Sequence, residues 1–223
     1  MMPFLVIVIM ILVFFTVVTR FRSKGYGKDF EKYVNEEREA NSIKGRALSP
    51  DEFFTVDLSI FPIKKETGLS EDLSDNQLSI LSKQREVIKQ AEKKMIKFDE
   101  PKTNIELKHT YGTANLEVIT EYEGNFHAFI HAVNDWAKAL IAAGDFHSAE
   151  AALLGAVKCG AETSRTYTML IDIYLEQNKK SEMQKLYELV SACKIPAKDK
   201  VRQYFEECAA KMGIKIQGDL KNA

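Results

Sequence analysis

Four histidines and three cysteines are the residues of this chain whose types most readily do chemistry. His127 and His131 stand four apart, which puts both imidazoles on one helix face and can seat zinc when a third ligand and a base complete the set. Between them run Ala128, Phe129 and Ile130, with no glutamate to serve as base, so the pair predicts the rim of a helix face. His109 and His147 are isolated. Cys159, Cys193 and Cys208 have neither CxxC spacing nor a neighbouring histidine to activate a thiolate, which predicts free thiols in a reducing compartment. Glu121 and Glu123 are two apart and fall on different helix faces, so they do not form an acid–base pair. No GxSxG elbow, phosphate loop or GxGxxG is present. The expectation is a protein with no catalytic, cofactor-binding or metal-ligating residue, and not an enzyme.

The elements around these residues point to binding. The chain has 223 residues, 45% hydrophobic and 28% charged, which is ordinary globular composition. A net charge of -1 argues against nucleic acid as the main partner, since that affinity comes from many lysine and arginine contacts to phosphate. Met1 to Thr19 carries no charge, and Phe4 to Val18 is a nearly unbroken apolar run. At 1.5 Å per residue such a helix covers roughly 28 Å, close to the bilayer hydrocarbon thickness. There is no basic region before it and no small-residue cleavage site after it, which predicts a retained transmembrane helix over 1–19. The flanking residues Arg20, Arg22, Lys24 and Lys28, with no acid before Asp29, predict an N-terminus outside and the bulk of the chain cytoplasmic.

Residues 20–75 read as a juxtamembrane basic segment, a short helix and a linker. Phe30, Tyr33 and Val34 share one side of an amphipathic helix over 29–40. Residues 41–47, with Gly45, suit a linker. In residues 53–63 (FFTVDLSIFPI) apolar and polar positions alternate as in a strand, yet no second strand is evident to pair with it. It could dock in cis in the groove of the repeat hairpins described below. A short helix packed on the core, begun by Ser49-Pro50-Asp51-Glu52, is the other option. Residues 76–98 predict a long helix capped by Ser74 or Asp75, with Leu81, Gln84, Ile88, Ala91, Met95 and Phe98 along one seam and a lysine-rich far side. Two and a half heptads favour packing on the domain over a free coiled coil, so residues 76–129 should supply helices that complete the core.

From Asn104 to Ala143 the pattern is helical, with Gly112 or Gly124 as the candidate break and Gly144-Asp145 as the turn. Helices over 147–158, 164–177 and 181–192 follow, then a capping helix over 198–212 and a tail over 213–223. Between Ile130 and Ala197 an offset of 34 aligns Val133 with Tyr167, Trp136 with Leu170, Leu140 with Tyr174, Gly144 with Asn178, Ala149 with Met183, Leu153 with Tyr187 and Ala156 with Val190. Residues 130–197 therefore resemble two tetratricopeptide repeats, 34-residue helical hairpins. Trp136, Ala137, Leu140, Gly144-Asp145-Phe146, Ala149, Leu153 and Ala156 match well. The second copy has the bulkier Ile171, Met183 and Val190 at close-contact positions, and Pro196 comes one residue late. The layout as a whole resembles small single-pass membrane proteins of bacteria, a resemblance that implies no activity.

The resemblance implies an all-α fold of antiparallel helical hairpins of the α-solenoid type, whose first helices line a concave surface that holds extended peptides. On those helices Asn134, Lys138, Asp172 and Gln177 are the expected ligand contacts, while Trp136 stands at a packing position. The expected function is a membrane-anchored adaptor or scaffold that binds a protein or peptide partner. Self-association into homo-oligomers is the alternative, and a metal-binding or enzymatic role the remote one.

Overall fold

The computed structural model describes Phe14 and residues 29–64, 74–192 and 198–214. The apolar run 1–19 apart from Phe14, the basic flank Arg20, Arg22, Lys24 and Lys28, residues 65–73, residues 193–197 with Cys193 and Pro196, and residues beyond 214 lie outside the described residues. Among the described residues the chain is helical with no named strand, and no helix there is long and apolar enough to cross a membrane. The helices are α1 (residues 29–42), α2 (Asp75–Ala91), α3 (Asn104–Tyr111), α4 (Leu116–Ala142), α5 (Phe146–Lys158), α6 (Ser164–Glu176), α7 (Lys180–Ala192) and α8 (Lys198–Lys211). The described residues cluster into two compact units, one drawn from 1–52 and 98–121, the other from 53–97 and 122–223.

In the first unit Ala40, Leu107, Tyr111 and Ile119 are buried. α3 starts with a capping box in which Thr103 and Glu106 satisfy each other's backbone N–H groups. It ends at Gly112, at φ 83° and ψ 154°, where the chain passes directly against Lys44 and Gly45. Gly124, the other candidate break, lies exposed inside the unbroken α4. The difference is in the surroundings: a Cβ at Gly112 would overlap backbone, and nothing lies within 4 Å of one at Gly124. Residues 43–46 are pinned: Arg46 N–H donates to the Tyr111 carbonyl at 3.2 Å, and Thr113 N–H to that of Ile43 at 3.3 Å. The Arg46 guanidinium stacks 4.9 Å from the Tyr111 ring centroid and forms a two-point ion pair with Glu52. That cation and the Ser49 N–H and hydroxyl hold the Glu52 carboxyl down at about 2.

The second unit holds the main core. Along α4 the buried residues Phe126, Phe129, Ile130, Val133, Trp136, Ala137 and Leu140 recur at three and four, and Ala149, Ala152, Leu153 and Ala156 repeat that stripe on α5. Tyr167, Leu170 and Ile171 of α6, Met183, Leu186 and Val190 of α7, and Val201, Phe205 and Cys208 of α8 extend it. α6 packs on α5, α7 and α8. α4, α5, α6 and α8 stop in the same way: Gly144, Gly160, Asn178 and Gly213 adopt positive φ, and the following residue's N–H reaches back to Leu140, Ala156, Tyr174 and Ala209 respectively. Asp145 continues the chain by capping α5, accepting from Ser148 N–H at 3.1 Å.

Residues 53–63 pack in cis on the hairpin of α4 and α5, as a strap would, though none of them lines the space between α4 and α6, and the alternative short helix over their length is not formed. They are neither a strand nor a helix over their length: Phe54 makes a single antiparallel bridge to Met95, and Leu58–Ile60 form one 3-10 turn against α5. Phe61 is 6% exposed, with its ring edge-on to Phe129 at 5.8 Å and lying over Gly155. The segment thus covers the α4–α5 layer. α2 ends at Ala91, seven residues before the expected Phe98, because 93–97 are drawn out along α4. Ile96 N–H donates to the Tyr122 carbonyl, and Asn125 Nδ2 to that of Lys94. Gln84, the polar residue in the α2 seam, is 2% exposed and exchanges two hydrogen bonds with the Lys64 backbone, at 2.8 and 3.0 Å.

Candidate functional site

The second unit carries a groove between α4 and α6, of about 520 Å³, lined by Lys138 and Ile141 from α4, Phe146 from the start of α5, and Arg165, Met169, Asp172, Ile173 and Glu176 from α6. The geometry follows from helical spacing. Lys138 and Ile141 are three apart, and Arg165, Met169, Asp172 and Glu176 are separated by three or four, so each set forms one stripe. The two stripes face each other because α4 and α6 are joined at their N-terminal ends of contact. There the Thr166 hydroxyl donates to Asn134 Oδ1 at 2.9 Å, Asn134 Nδ2 reaches Thr163 Oγ1 at 3.4 Å, and the Arg165 guanidinium pairs with Asp135 at 2.7 Å. Thr163 also caps α6, so one small polar cluster fixes where α6 begins and where it meets α4.

Of the four expected contact residues, Lys138 and Asp172 line this groove together from opposite helices. Asn134 does not reach it. It is fully buried, and its carboxamide is occupied by the two threonines, so the expectation of a ligand contact there is corrected to an interhelix tie. Gln177 is exposed at the C-cap of α6, outside the lining. Trp136, Tyr167 and Tyr174 are core residues, at most 3% exposed, and give the groove no aromatic wall. Ile141, Phe146, Arg165, Met169, Ile173 and Glu176 were missed. Extending the helical stripe from Lys138 and Asp172 by three, four and seven positions finds all but Phe146 and Ile173.

The floor is apolar, made of Ile141, Phe146, Met169 and the buried Ile173. The rim carries both signs of charge. Asp172 accepts a hydrogen bond from the Tyr204 hydroxyl of α8, and that carboxylate raises the phenol above its ordinary range. Lys138 and Glu176 are exposed. Elsewhere the chemistry is sparse. His127 and His131 are exposed on α4, and no group of three histidine, cysteine or acidic side chains capable of holding a metal assembles among the described residues. Cys159 and Cys208 are free and buried, and burial pushes the Cys159 thiol up to about 11, which leaves it a poor nucleophile. No family model, curated protein or solved structure matches the chain.

Proposed function

We propose that this chain is a membrane-anchored adaptor whose tetratricopeptide-like helical hairpins capture a peptide segment of another protein in the groove between α4 and α6. The observation that carries this reading is the groove itself. It has an apolar floor edged by charges, is lined by the first helices of both 34-residue units, and contains no residue of the chain's own 53–63 segment. An apolar floor that a few polar groups edge is the usual build of a recognition site. The apolar run 1–19 and the basic residues that follow it supply the anchor and put the groove at the cytoplasmic face.

The test is affinity capture from native membranes with the full chain beside its Met169→Glu form, which places a charge on the groove floor; because Met169 also packs on the core, the variant's melting temperature is measured alongside. Loss of a captured protein from the variant eluate supports the adaptor, and reconstitution of that pair from purified components completes the case. Eluates of both forms that contain the bait alone, with concentration-dependent sedimentation, would overturn it in favour of self-assembly.

A further inference from the structure

The rim of the groove is not electrically neutral along its length. Arg165 is engaged by Asp135 at 2.7 Å, so this pair cancels. That leaves Lys138 on α4 against Asp172 and Glu176 on α6. The two acids are four residues apart on one helix, so their carboxylates stand one turn apart on the same face and can flank a single cation. They also sit in the last turn and a half of α6, where the helix dipole adds negative potential. Beside them lie Ile141, Phe146 and Ile173, the apolar end of the floor. Lys138 faces them from α4 as an exposed donor, suited to a peptide carbonyl.

We infer that the groove selects a segment pairing a large apolar side chain with an adjacent arginine or lysine, the apolar group seated on Ile141, Phe146 and Ile173 and the cation held between Asp172 and Glu176. The inference rests on the groove being a peptide site, as proposed above. It adds the sign of the partner's charge. The Asp172 carboxylate keeps capacity for this after accepting from the Tyr204 hydroxyl, because an ionised carboxylate offers about four acceptor positions.

The test uses the full chain in mild detergent and three fluorescent ten-residue peptides. Each has two leucines in a glycine–serine background, with three arginines, three glutamates or three further serines between and beside them. Binding is read by anisotropy. The arginine peptide is expected to bind about tenfold tighter than the serine peptide, the gain of one or two partly screened ion pairs. Added salt should shrink that advantage, and Asp172→Asn with Glu176→Gln should abolish it while the melting temperature holds. Preference for the glutamate peptide would overturn the inference and leave the groove reading standing. So would equal binding of all three peptides that Met169→Glu abolishes. If none of the peptides binds at any salt concentration, the inference and the groove reading both fail.

Discussion

At the scale of single residues, two glycines of one sequence context have opposite reasons to exist. Gly112 combines φ 83° with a backbone approach from Lys44 and Gly45, so a side chain there is opposed by conformation and by space together. Gly124 sits exposed in mid-helix, where glycine only adds chain entropy to the unfolded state. Gly112→Ala should therefore destabilise the first unit by about 3 kcal/mol or more. Gly124→Ala should stabilise by roughly 0.5–1 kcal/mol. Urea unfolding of the two variants reads both signs, and matching effects would show that the turn at 112 is not what ends α3. Neither role was readable beforehand, because the discriminating neighbour of Gly112 lies 67 positions away in sequence. Asn134 teaches the same point. Its spacing put it on a groove face, but a buried position with two threonine partners is a stronger claim on a carboxamide than a rim position.

The helical elements were the legible part. Periodicity and caps located α5 to α8 within a few residues, since their apolar stripes and positive-φ stops are local signals. Two elements were not legible. α2 ends seven residues before Phe98: Met95 continues the heptad in sequence, yet it is buried from non-helical backbone that bridges Phe54 rather than from a helix turn. Residues 53–63 alternate like a strand, but with one bridge and no ladder the alternation reflects which side chains meet α4 and α5. In the sequence both look like their own secondary structure. What decides them is a tertiary surface. Phe61 is the anchor of that segment, wedged between Phe129 and Gly155, where a Cβ would come within 2.7 Å of its ring. Phe61→Ala should cost about 3 kcal/mol in the second unit, the usual effect of emptying a buried phenylalanine site. The peptide affinity of the groove should not move, since no residue of 53–63 lines it. Thermal melting and peptide anisotropy on the same variant separate the two effects. A large affinity loss at unchanged stability would place the segment at the ligand after all.

 For the whole molecule, a nearly balanced net charge conceals an uneven distribution. The first 28 residues hold four cations and no acid, and the first carboxylate is Asp29. An apolar run that can span a bilayer, followed by positive charge alone, is retained with its basic side toward the cytoplasm. Under the proposed reading the groove works at the inner face of the membrane, where its acidic end would meet soluble basic segments. The full chain produced in bacterial cells should therefore stay in the membrane pellet through an alkaline carbonate wash. Protease added to intact spheroplasts should leave α2 to α8 uncut, and protease added to inverted vesicles should digest them. Release by carbonate would remove the spanning helix from the account. Digestion from the outside would keep the helix but reverse its orientation, and the partner would then be sought on the opposite side of the membrane, because the groove's chemistry is the same whichever side it faces.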